Sequence, residues 1–221
     1  MIATHNYFTS SIGKKQIMAL TGFGLIGFVL THLAGNFFIL VGPDAFNYYA
    51  YKLTSNPLIY VAEAVLAGMF IGHIVLAVLL KLQNMGARPQ SYFTKVRTGR
   101  GETIASGTMP YTGLILMIFL ILHLLNFKFG TEYYTVVDGV KMRDLYKTVI
   151  EYFANPLYVA WYVFAMLCLG LHTSHGFQSM FQTWGLNHKK YTPAIQTLSS
   201  AYGIFVALGF SGLAIYCYFQ N

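Results

Sequence analysis

Apolar residues run in five long stretches, 17–41, 57–81, 109–129, 156–185 and 198–219, separated by segments where charges, prolines and polar residues gather. About 20 apolar residues at a rise of 1.5 Å each cover a hydrocarbon core of ~30 Å, so every stretch predicts one membrane-crossing helix. The fourth is longer than that core requires and predicts a tilted helix whose last turns, FQSMFQTWG, emerge among the headgroups. The first follows Lys14 and Lys15 as a signal peptide would, yet it exceeds a cleavable apolar region and no small-residue cleavage pattern follows it. It is read as a retained helix. No span repeats another closely enough to suggest an inverted-repeat transporter, and no segment is of low complexity. The expected fold class is all-α: residues 1–221 forming one integral membrane bundle of five helices.

Composition agrees. With 56% hydrophobic and 10% charged residues and a positive mean hydropathy, an ordinary soluble domain of 221 residues is excluded. Cys168 and Cys217 both lie inside apolar runs and read as small buried hydrophobes, with neither a disulfide framework nor a CxxC metal site on offer. Five spans put the N-terminus and the loops 82–108 and 186–197 on one side. That side carries Lys14, Lys15, Arg88, Lys95, Arg97, Arg100, Lys189 and Lys190 against one acid, Glu102. The other side offsets Lys52, Lys128, Lys141, Arg143 and Lys147 with Asp44, Glu132, Asp138, Asp144 and Glu151. The positive-inside rule then places the N-terminus in the cytoplasm and the C-terminus outside. The net charge of +7 is a topological bias, and no nucleic-acid partner is expected.

Histidines change the picture. An imidazole inside hydrocarbon is costly when unpaired, and four consecutive spans carry one: His32, His73, His123, and His172 with His175. His5 and His188 fall outside the spans. His32 and His123 lie about 5 Å beyond the midpoints of outward-running helices, whereas His73 lies about 6 Å toward the cytoplasm and His172 is also on the inner half of its helix. Two pairs at two depths result, His32 with His123 outside and His73 with His172 inside. Facing neutral imidazoles across a helix bundle are the arrangement that ligates haem iron from both sides. Zinc would want three or four ligands at one depth. Gly27, Gly35, Gly68, Gly72, Gly170 and Gly176 suit either a flat macrocycle lying against backbone or plain small-residue helix packing. His172 and His175 are three apart, on neighbouring faces, and spacing alone does not choose between them.

Glu63 is the only acid inside a span, about ten residues to the outer side of His73. It is a candidate for proton exchange within the membrane, or else an interfacial glutamate bonded to a neighbouring helix. Tyr48, Tyr49, Tyr51, Tyr60, Tyr92, Tyr133, Tyr134, Tyr152, Tyr158, Trp161 and Tyr162 cluster toward span ends and read as interface anchors, with Trp184 set apart as a neighbour of the inner pair. The basic segment 88–100 suits lipid headgroups or a docked partner.

The stretches KKQIMALTGFGLIGFVLTHLAGN, NPLIYVAEAVLAGMFIGHIVLAV, TMPYTGLILMIFLILHL and GLHTSHGFQSMFQTWGLNHKKYTP together resemble the single-chain, five-helix, di-haem cytochrome b membrane anchor of succinate dehydrogenase and fumarate reductase. HLAGN and the last stretch are the specific parts. The resemblance implies two haems b in a bundle with haem sites between helices. His32 and His123 would be the axial iron ligands of the distal haem, His73 and His172 those of the proximal one. It favours His172 because Gly176 follows it by four, leaving His175 as a second-layer neighbour of a propionate or quinone. It also implies a quinone substrate, menaquinone or ubiquinone, a bacterial cytoplasmic membrane, and flavoprotein and iron–sulfur subunits on the cytoplasmic side that perform the dicarboxylate chemistry of the tricarboxylic acid cycle or its reverse. The family pattern has an arginine before the third span where this chain reads IASGTM, so Lys95, Arg97 and Arg100 become candidates for its contacts. Two rivals stand beside this reading. One is the di-haem cytochrome b of a hydrogenase or formate dehydrogenase, with a periplasmic partner. The other is a proton or metal transporter using the same histidines.

Overall fold

The computed structural model describes residues 7, 10–86 and 104–221. Among them five helices are long and apolar enough to cross a membrane. They are α1 (Ser11–Asn36, continued by a 3-10 turn over Phe37–Leu40), α3 (Leu58–Gly86), α4 (Ile104–His123, closed by a π turn over Leu124–Lys128), α6 (Pro156–Thr183) and α7 (Thr192–Tyr218). Two short helices, α2 (Pro43–Thr54) and α5 (Leu145–Phe153), and a hairpin of β1 (Tyr134–Val137) and β2 (Val140–Arg143) complete the elements of the described residues.

The helix starts are chemically signalled. Ser10 accepts from the Gly13 N–H at 3.0 Å, which opens α1 six residues before the apolar run and carries Lys14 and Lys15 within the helix. Asn56 and Asn155 accept from the Leu58 and Leu157 N–H groups at 3.0 and 2.9 Å, each just before a proline whose missing donor costs nothing at a first turn. The hairpin was not expected from the apolar pattern. It turns on Asp138-Gly139, both at positive φ (50° and 78°), the two-residue signal for a tight antiparallel turn, with Val137 paired to Val140.

α6 and α7 form the most extensive helix pair of the bundle. Gly170 and Gly203 cross so closely that a Cβ on Gly170 would stand 2.7 Å from the Gly203 carbonyl oxygen. α1 packs along α3 and α6 and is tied to α7 by the Tyr202 hydroxyl, which donates to the Ile26 carbonyl at 2.7 Å. α4 packs along α6. The pairs α1/α4 and α3/α6 share no extensive backbone contact among the described residues.

At the end opposite the start of α1, Ile39, Phe46, Val149, Phe153, Tyr162, Ala214 and Cys217 form the apolar core. Asn47 locks α2 to α5 there: its amide donates to Asp144 Oδ1 at 2.8 Å and its side-chain oxygen accepts from the Tyr146 N–H at 2.9 Å. Cys168 and Cys217 are free and buried.

Candidate functional site

The four span histidines meet in two layers. His73 on α3 faces His172 on α6 with ring centroids 6.4 Å apart, and His32 on α1 faces His123 on α4 at 5.9 Å. The first pair forms a near layer, toward the start of α1, and the second a far layer. Thr21 sits at the near layer, and the eleven residues from it to His32 put the layers about 16 Å apart along α1. Each pair joins two helices that do not pack extensively on one another.

Hydrogen bonds decide which ring nitrogen is available. His73 Nδ1 lies 3.3 Å from Thr21 Oγ1, and His172 Nδ1 lies 3.1 Å from Thr112 Oγ1. Both hydroxyls also reach carbonyls of their own helix, Ile17 and Met18 for Thr21, Thr108 and Met109 for Thr112. In the far layer His123 Nδ1 is 3.1 Å from the Tyr162 hydroxyl, with Phe119 stacked on His123 and Phe28 on His32. In three of the four rings Nδ1 is thus engaged and Nε2 is left for a ligand bond, as metal-bound histidines are usually supported.

The donor set fits one iron per layer. An imidazole nitrogen about 2 Å from a first-row metal, with about 1 Å more to the ring centre, puts two rings on opposite sides of one ion about 6 Å apart. The observed 5.9 and 6.4 Å match that spacing. Among the described residues no three His, Cys, Asp or Glu side chains gather, so the site offers pairs and no tetrahedral set.

Other expected residues fare differently. His175 is half-buried and makes no ring or hydrogen-bond contact among the described residues. Glu63 forms an ion pair with Lys128, joining α3 to the π turn after α4, with side chains 43% and 41% exposed. Trp184 packs edge-on against Phe23 of α1 and against Phe181. Tyr162, expected as an interface anchor, is instead 7% exposed and turned into the far layer, because its position on α6 faces α4. Gly170 serves the crossing with α7, a Cβ on Gly35 would stand 2.7 Å from the Tyr49 hydroxyl oxygen, and a Cβ on Gly27 or Gly68 would meet nothing within 4 Å. The glycines beside the near-layer rings are ones not singled out, Gly22 next to His73 and Gly113 next to His172. His5, Lys95, Arg97 and Arg100 lie outside the described residues.

A family model described as "Succinate dehydrogenase/Fumarate reductase transmembrane subunit" matches residues 86–210, more than half of the chain. The chain belongs to that family. Across almost its whole length it also resembles the "Succinate dehydrogenase cytochrome b558 subunit" of Bacillus subtilis (strain 168), 26% identical over 206 residues that cover 90% of this chain and 92% of the relative. No solved structure matches it. Membership makes the helical bundle a membrane subunit of a succinate dehydrogenase or fumarate reductase, and the two histidine layers lie in the helices that run through its core.

Proposed function

We propose that the chain is the membrane-anchor, electron-transfer subunit of a succinate:quinone oxidoreductase. It would carry electrons between the iron–sulfur clusters of a partner and a membrane quinone, menaquinone or ubiquinone, with two haems b. The observation that carries the reading is the doubled histidine pair, two rings per layer at a bis-imidazole spacing. Further support comes from the Bacillus subtilis relative, whose name is that of a cytochrome b558 subunit.

His73 and His172 would hold the near haem, and His32 and His123 the far one. Bound haem supplies a one-electron ferric/ferrous couple. The chain's own contribution is orientation and dielectric. Thr21, Thr112 and Tyr162 hold three of the rings in place, and Phe28, Phe119 and Phe127 line the far layer with apolar surface. The loop charge bias assigns the near layer to the cytoplasmic side of a bacterial membrane, with the flavoprotein and iron–sulfur subunits docking there and the C-terminus outside. Glu63, with Lys128 as its counter-ion, is assigned to proton exchange with quinone at the far face.

The test is purification of the tagged chain from native membranes, with a dithionite-reduced minus oxidised spectrum and identification of the co-purifying chains. The expected result is b-type α and Soret bands together with a flavoprotein and an iron–sulfur protein. A colourless preparation, or a partner exposed on the outer face, contradicts the proposal.

A further inference from the structure

The two layers are built by two related halves. Thr21-Gly22, Phe28 and His32-Leu33 in α1 recur, shifted by 91 positions, as Thr112-Gly113, Phe119 and His123-Leu124 in α4 and the first residue of its π turn. Asn56-Pro57-Leu58 and His73 of α3 recur, shifted by 99, as Asn155-Pro156-Leu157 and His172 of α6. The contacts recur with them. Each threonine meets the near-layer histidine of its own half, at 3.3 and 3.1 Å, and each phenylalanine stacks on the far-layer histidine four residues on, at interplanar angles of 19° and 25°. Each glycine after the threonine lies under a near-layer ring, where a Cβ would stand 3.4 or 3.5 Å from Cε1. Each asparagine caps the helix that carries that ring. The repeat runs parallel, α1 with α4 and α3 with α6, so a search for inverted spans does not find it.

A threonine that merely satisfied its own hydroxyl on helix carbonyls would have no reason to meet a histidine twice in the same register. The proton count gives the pairing a direction. A hydroxyl has one proton and two lone pairs. Thr21 Oγ1 lies 3.1 and 3.0 Å from the Ile17 and Met18 carbonyls, and Thr112 Oγ1 lies 3.2 Å from both the Thr108 and Met109 carbonyls, all of which only accept. With its proton held on that side, each oxygen accepts from Nδ1–H of the ring. Nε2 then carries the free lone pair.

Resting on the di-haem reading above, we propose that Thr21 and Thr112 are paired positioning residues. They hold His73 and His172 as the Nδ1–H tautomer with Nε2 turned to the shared iron, and through those two bonds they set the midpoint potential of the near haem alone. A donated Nδ1–H makes the imidazole a stronger base toward iron and favours the ferric state. Removing the acceptor raises the potential. The far layer is built differently, with a phenol on His123 and no hydroxyl partner on His32 among the described residues, so it does not share this control.

The test uses the assembled complex in membranes, with Thr21→Val and Thr112→Val as near-isosteric variants and Thr→Ser at both positions as conservative ones. Potentiometric titration of the α bands, with the near haem assigned by its loss in His73→Ala, is the readout. An upward shift of the near haem in each valine variant, a larger one in the double variant, an unmoved far haem and wild-type potentials with serine are expected. Loss of the near haem from the valine variants with its retention in the serine ones supports the same role. A wild-type complex lacking two haems overturns the underlying reading. Two haems in the wild type with unmoved potentials in both valine variants, or equal shifts of both haems, overturns the inference itself.

Discussion

Replacing Asn47 by alanine should loosen the far end of the bundle. Asn47 is 1% exposed, and its two bonds join α2 of one half to α5 of the other. A bond to a charged acceptor such as Asp144 is worth about 1.5–3 kcal/mol, and leaving the Tyr146 N–H without a partner costs about 1–3 kcal/mol. The two belong to one network and do not simply add, so the expected loss is about 3 kcal/mol. At about 2–4 °C per kcal/mol for a chain of this length, thermal unfolding of the purified complex should fall by about 6–12 °C. Phe46 and Phe153, which flank this lock, pack in the same core as Tyr162, so the far haem should also be released at lower temperature than the near one. Asp144→Ala supplies the cycle: the double variant should cost about 1 kcal/mol or more less than the sum of the single ones. A loss below about 0.5 kcal/mol, or strict additivity, would refute the reasoning.

His172→Ala should remove one haem while His175→Ala retains both, read from the pyridine haemochromogen of each purified variant; the opposite pattern reverses the ligand assignment. Glu63→Gln should leave haem content unchanged and, because the Lys128 pair is half exposed, cost less than about 1 kcal/mol of stability. It should nevertheless slow quinone-linked turnover, and undiminished turnover would reduce Glu63 to an interhelical ion pair. Gly170→Val should impair assembly, since even its first side-chain carbon would collide with the Gly203 carbonyl oxygen and the Ala207 methyl; wild-type yields of folded complex would contradict the close crossing of α6 and α7.

Apolar run length was enough to read the five spans, because a bilayer permits few alternatives. Their ends were less legible. The Ser10 cap extends α1 back past Lys14 and Lys15, whose long side chains carry their charges away from the helix. The helices α2 and α5 were missed because they are short and amphipathic, burying Phe46 and Phe153 while Lys52 and Glu151 stay exposed. The Asp138-Gly139 turn joins strands of four residues each, too short to stand out as an alternating pattern. Depth along each helix paired the histidines, since residue number converts directly into height. Their supports could not be read that way: a threonine in a span resembles any helical threonine, and Tyr162 resembles an interfacial tyrosine until its helix face is known. The repeat is faint in the sequence because it survives at a handful of positions amid interchangeable apolar residues.

The central claim is that each histidine layer holds one haem b. Haem quantified by the pyridine haemochromogen against the amount of this chain in the purified complex tests it most directly. The account gives two haems per chain in the wild type and one after either His32→Ala or His73→Ala. One haem or none in the wild-type complex contradicts it.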